Sequence, residues 1–208
     1  MAKTREPGGA SGEVAAKLGA DAGPKLRADA RRNEDAVIAA AKAIFAAQGV
    51  DAPVREIAER AGLGVGTLYR RFPSRAALVA AVFRHEVDAC AEAAGRLAAE
   101  HPPLEALRAW LVLYTQFIAT KAGLSKALHS ADPAFAPLPA YFENQLSPAL
   151  GGLLEAAAKA GAIRGGVDAF DLLRGIGNLA VPPRHEGDDH AARMLGLVID
   201  GLRFGAGG

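Results

Sequence analysis

An all-α fold is what the 208-residue sequence predicts. Three observations point to it. Apolar residues recur at i, i+3, i+4 and i+7 through one segment after another; no stretch alternates apolar and polar residues at the strand period; and Gly or Pro punctuates the ends of the periodic segments. Half of the residues are apolar, which suffices for one small and one medium-sized core.

The first residues are built from Gly, Ala, Lys and acidic side chains and cannot bury enough surface to offset the entropy of ordering, so residues 1–26 are read as a disordered basic tail. They also lack the contiguous apolar core of a secretory signal. From about Ala28 to Gln48, Val37, Ala41, Ile44 and Phe45 recur at helical spacing, and Gly49 supplies the stop. Pro53 suits the first turn of a second, short helix carrying Val54, Ile57, Ala58 and Ala61, which ends at Gly62. After the Gly62-Leu63-Gly64 turn, about two helical turns run from Val65 to Phe72, where Pro73 closes them. Ser74 then caps a long fourth helix reaching toward Glu100, with Leu78, Val82, Val87 and Ala91 on its apolar face.

Beyond Pro102-Pro103 the helical segments are about 104–122, a short piece near 124–130, about 138–161, about 168–181 and about 189–204. Pro133, Pro137, Pro139 and Pro148 interrupt the middle of this region, and Pro182-Pro183 with Glu186-Gly187-Asp188-Asp189 marks a connector.

The net charge of +1 hides a division. Residues 1–84 carry 14 Lys/Arg against 9 Asp/Glu, a net +5, whereas residues 85–208 carry 10 against 14, a net −4. The N-terminal part is therefore the candidate polyanion binder. The single cysteine, Cys90, excludes an intrachain disulfide framework and a four-cysteine zinc site, and reads as a small apolar helix residue. The longest apolar run, Ala109 to Tyr114, falls well short of the roughly 20 residues of a membrane span, so a cytoplasmic protein without membrane contact is expected.

Two short helices joined by a glycine-containing turn and braced on both sides can lay one helix into the DNA major groove. Leu68 and Phe72, four residues apart, must face inward, which turns Gly66, Thr67, Tyr69 and Arg70 outward and leaves Val65 and Arg71 nearer the core boundary. Arg70 can fork onto guanine O6 and N7, Thr67 can reach a phosphate or a thymine methyl, and Tyr69 can donate to a phosphate. Gly66 lets the backbone approach closely, and Gly64 and Val65 complete the expected DNA-binding set on this helix. Arg55 and Arg75, near helix N-termini, are expected to hold phosphates, and Arg27, Arg31 and Arg32 to reach backbone or minor groove. The alternative is a helical protein-interaction module whose arginines are merely solvated.

Val54-Arg55-Glu56-Ile57-Ala58, then Ala61-Gly62-Leu63 and Gly66-Thr67-Leu68-Tyr69-Arg70-Arg71-Phe72-Pro73, are similar to the DNA-binding region of the TetR family, over roughly residues 33 to 83. The resemblance implies a helix-turn-helix DNA-binding domain over 27–76 and a helical effector-binding and dimerisation domain over 77–208. It further implies a homodimeric regulator, most simply a repressor, that leaves a pseudo-palindromic operator when a small-molecule effector binds. Ala52-Pro53 replaces the hydroxyl residue that often caps the second helix in that family, which removes one phosphate contact.

In the C-terminal part, Leu107, Trp110, Leu111, Tyr114, Phe117 and Ile118 form one helical stripe. Together with His129, Tyr141, Phe142, Asn144 and Gln145, the aromatic residues Trp110, Tyr114 and Phe117 suit a mostly apolar effector pocket with a few directing polar groups, plain core being the alternative. Leu172, Leu173, Ile176 and Leu179, then Met194, Leu195, Val198, Ile199 and Leu202, are the apolar pair nearest the C-terminus, and the resemblance makes them the dimer bundle. Gly62-Leu63-Gly64-Val65-Gly66 lacks the preceding strand of a phosphate-binding loop. His185 and His190 would stand about 140° apart on a helix, so no metal site is expected there. No catalytic signature is present, and neither an enzyme nor a cofactor is expected.

Overall fold

The computed structural model describes residues 24–128, 130–180 and 189–204, and among these the regular structure is helical with no strand. The elements are α1 (Pro24–Gln48), α2 (Val54–Arg60), α3 (Val65–Arg71), α4 (Arg75–Glu100), α5 (Pro103–Leu128), a short 3₁₀ turn (Pro133–Phe135), α6 (Leu138–Lys159), α7 (Ala169–Leu179) and α8 (Asp189–Arg203).

α1 begins three residues inside the segment expected as tail; residues 1–23 lie outside the described residues. Its stop is Gly49, whose φ of 83° is accessible to glycine at no steric cost, and Gly62 (φ 69°) ends the α2 turn in the same way. Pro53 sits just before α2 in extended conformation rather than inside its first turn. Ser74 caps α4, its Oγ accepting from the Ala77 amide at 3.0 Å.

Two expectations about the middle of the chain give way. The segments at 104–122 and 124–130 run together in one helix, α5, which passes through Gly123 to Leu128, because a lone glycine costs only about 1 kcal/mol against the more than five turns that precede it. Pro148 lies within α6 without ending it, and Pro139 falls in its first turn, where the missing amide hydrogen is not needed. The connector at 181–188, with most of the His185-to-His190 motif, lies outside the described residues; His190 Nε2 is 2.9 Å from the Leu179 carbonyl.

α4 is the central strut. It packs most extensively on α5 and α6 and also receives α1, so a single helix belongs to both halves of the molecule. Leu78, Val79, Val82, Val87 and Cys90 of α4 are buried, as are Leu107, Trp110, Leu111 and Tyr114 of α5. Each such aliphatic side chain contributes about 1.5–3 kcal/mol when removed from water. α7 lies on α5 and α6, and α8 on α5 and α7. A Cβ at Gly177 would come 3.5 Å from the Tyr114 hydroxyl oxygen, so the glycine lets α7 approach α5 closely.

Candidate nucleic-acid interface

α3 is anchored by Leu68 and by Phe72 just beyond its end, which are 1% and 5% exposed and pack with the fully buried Ile57 and Ala58 of α2. That anchoring turns the opposite face outward. Gly64, Gly66, Tyr69 and Arg70 are exposed, and Thr67 and Val65 are half-buried, Val65 against the core. Arg70 donates through Nη2 to Thr67 Oγ1 at 3.0 Å, one helical turn away, so its guanidinium is held on the outer face. Nothing lies within 4 Å of where a Gly66 Cβ would stand.

A cleft of about 590 Å³ runs between α3 and the N-terminal turns of α1, with Leu63, Leu68, Phe72 and Val37 along its floor and Arg31, Glu34, Arg70 and Arg71 at its rim. Arg31 and Arg32 are exposed, and Arg32 pairs with Asp29 within α1. Arg55, at the start of α2, is exposed and pairs with Glu59 at 2.8 Å. Such exposed pairs are worth little and leave the guanidinium free to exchange partners.

Two arginines depart from expectation. Arg75 is not a free cation at the start of α4: it is part-buried, and its Nη1 donates to the carbonyls of Val50 and, at 2.6 Å, Ala52, bracing the loop between α1 and α2. Arg71 is exposed rather than at the core boundary, and its Nη2 pairs with Glu34 of α1. No periodicity signals either contact, since both join segments more than 20 residues apart.

In the C-terminal half the aromatic residues pack on one another. Trp110 and Tyr114 stack with ring centroids 5.6 Å apart, Phe117 lies 6.1 Å from Tyr114, and Phe142 lies 6.1 Å from Phe117. Their polar tips are engaged by backbone: Trp110 Nε1 donates to the Cys90 carbonyl at 2.8 Å, and the Tyr114 hydroxyl to the Leu173 carbonyl at 3.0 Å. Trp110, Tyr114 and Phe117 are thus buried, with the polar tips of the first two satisfied within the chain. Burial drives the Tyr114 phenol well above its ordinary range, and burial, then the Glu86 charge, push the Cys90 thiol up to about 12. Tyr141 and Phe142 are half-buried, with Tyr141 donating to Asp88 of α4 beneath the Arg84 guanidinium. Gln145 and Asn144 are exposed on α6, next to the buried Leu146. His129 lies outside the described residues.

Of the nine apolar residues read as the dimer bundle, Leu173 and Ile199 are buried in this chain and Met194 is half-buried, and the other six divide. Ile176, Leu195 and Leu202 are buried within this chain, at 2%, 6% and 4% exposure; Leu172 and Val198 are half-buried against the core; and Leu179 is 44% exposed. The outward apolar side chain of α8 is one the sequence stripe passes over, Leu197, at 65%.

The ends of the chain's architecture match known families separately. Residues 37–82 match the bacterial regulatory proteins of the tetR family, and residues 102–204 match the C-terminal domain of SbtR-like transcriptional regulators. No curated protein matches the chain. Among solved structures, a TetR transcriptional regulator from Streptomyces coelicolor is 38% identical over 82% of this chain and 98% of its own, with a TM-score of 0.66. A TetR transcription regulatory protein from Mycobacterium vanbaalenii is 35% identical over 86% and 99%, with a TM-score of 0.67. The TetR-like regulator LfrR from Mycobacterium smegmatis, in complex with proflavine, shares the fold at 23% identity over 85% and 97%, with a TM-score of 0.58. With its N-terminal helix-turn-helix and its all-helical C-terminal half, the chain belongs to the TetR family of DNA-binding transcriptional regulators.

Proposed function

We propose that this regulator is a homodimeric repressor that reads a pseudo-palindromic operator with α3 and is released from it by a small-molecule effector. The observation that carries the DNA-reading part is the outer face of α3, where exposed Gly66, Tyr69 and Arg70 and half-buried Thr67 stand on a helix pinned from behind by Leu68 and Phe72. A helix so held enters a major groove as a rigid body, with Arg70 placed for bidentate contact to guanine and Tyr69 and Thr67 for the flanking backbone. Arg31, Arg32 and Arg55 supply exposed charge for phosphates around it. In this reading residues 27–76 are the DNA-binding domain, and α4 carries it on the body formed by the rest.

The dimer is assigned to the outer faces of α7 and α8. Leu179 and Leu197 are exposed there, and Gly175 and Gly201 would permit close approach of a second copy. The effector is assigned to the same body. Support comes from the relative LfrR, which was solved with proflavine. Because the Trp110–Tyr114–Phe117 stack is closed, a ligand would enter beside it, toward half-buried Tyr141 and Phe142. A ligand favouring the non-clamping conformation would shift the population off DNA in proportion to its differential affinity.

Selection of bound duplexes from a random pool at moderate salt tests the proposal. Enrichment of an inverted repeat with half-sites about one helical turn apart is expected. A folded protein that enriches no motif would sink it.

A further inference from the structure

α3 carries two adjacent arginines, and they are treated differently. Arg70 is held on the outer face by Thr67, whereas Arg71 reaches across the cleft to Glu34 on α1. The Glu34 side chain is 27% exposed and the Arg71 side chain 63%, so the pair sits at the rim of the cleft that Arg70 and Arg31 also line. A lone guanidinium at that rim would take a phosphate from any sequence, adding affinity without information. Glu34 lies on another helix and is more shielded than the carboxylates beside Arg32 and Arg55, at 27% against 44% for Asp29 and 62% for Glu59. Its charge therefore stays next to Arg71 and offsets the guanidinium's attraction for phosphate, and it disfavours phosphates that approach in a wrong register.

We propose that Glu34 is a specificity-determining residue: by neutralising Arg71 on the rim of the DNA-facing cleft, it leaves Arg70 as the guanidinium of α3 available to DNA and suppresses sequence-independent binding. Glu34 acts here as a positioning residue, through Arg71, and need not touch a base. The inference rests on the reading of α3 as the operator-contacting helix.

The test compares the full-length parent with Glu34→Gln, the double variant Glu34→Gln/Arg71→Gln, and Arg70→Ala. Binding is measured on the selected inverted repeat and on a random duplex across a salt series, with thermal melting as a control for folding. Glu34→Gln is expected to bind random duplex about tenfold more tightly at low salt, to steepen the log K against log salt slope by about one per subunit engaged, and to lower the operator-to-random ratio severalfold. Adding Arg71→Gln should return the slope to the parent's. A Glu34→Gln slope equal to the parent's overturns the inference, as does a parallel fall of both affinities with the melting temperature, because the pair then only docks α1 onto α3. Should Arg70→Ala leave the operator-to-random ratio intact, the underlying reading fails instead; should Arg70→Ala collapse the ratio while Glu34→Gln leaves it alone, only the role of Glu34 is lost.

Discussion

Arg70, Arg71 and Arg75 are spaced within six residues, yet the fold gives each a different task. Arg70 stands on an exposed face beside Thr67, Arg71 is bound to α1, and Arg75 is turned inward onto the carbonyls of Val50 and Ala52. Loss of Arg75 therefore falls first on folding. Arg75→Ala strips a charged donor from two carbonyls and is expected to cost about 1.5–3 kcal/mol in denaturant unfolding, with DNA affinity changing only through the loosened loop. Gly66 makes the opposite case. A methyl group there meets nothing in the free protein, and alanine favours helix over glycine by roughly 1 kcal/mol. Gly66→Ala should leave melting unchanged or slightly raised while weakening operator binding, a split that filter-binding and calorimetry would reveal together. The outward rotation of α3 was legible in the sequence from Leu68 and Phe72 alone, since four-residue spacing fixes one face of a helix. The partners of Arg71 and Arg75 were not, because both lie on segments brought near only by folding.

At the scale of the element, α4 gathers the polar contacts that join the two halves. Lys42 of α1 pairs with its Glu86 at 2.7 Å, Tyr141 of α6 donates to its Asp88, and Trp110 of α5 donates to its Cys90 carbonyl. Burial, the hydrogen bond to Asp88 and the Asp88 charge push the Tyr141 phenol up to about 12, against the opposing effect of Arg84. A phenol whose folded pKa is raised contributes stability that is complete below the ordinary value near 10 and lost as pH rises through about 12. Chemical unfolding measured between pH 9 and 12 should thus show falling stability, and Tyr141→Phe should flatten that fall. Helix boundaries were read well where Gly49, Gly62 and Ser74 mark them. They were misread at Gly123, where a breaker by composition is outweighed by the helix around it. The aromatic stripe of α5 was equally ambiguous: periodicity shows that Trp110, Tyr114 and Phe117 share a face, but only the meeting of α5 with α4, α6 and α7 decides that their rings close on one another.

For the molecule as a whole, the outer faces of α7 and α8 separate what a sequence stripe joins. Met194, Leu195, Leu197, Val198, Ile199 and Leu202 give α8 apolar residues on two sides, and a single chain offers no way to tell which side meets its own α5 and which a second copy. The fold turns Leu195 and Leu202 inward and Leu197 outward. Leu197→Glu is accordingly expected to leave the monomer folded, shift sedimentation toward the single chain, and lower operator affinity at least tenfold because half-sites would be bound one at a time. Unchanged sedimentation would place the interface elsewhere.

The unbroken run of α4 from its Ser74 cap to Glu100 has a mechanical consequence. At 1.5 Å per residue its 26 residues span about 39 Å. A tilt of only about 5° at one end sweeps the other through about 3 Å, close to the ~3.4 Å rise between successive bases along a strand. In the proposed dimer, such a lever would amplify a displacement too small to disturb the packing around Tyr141 into one large enough to put the two reading heads out of step with their half-sites.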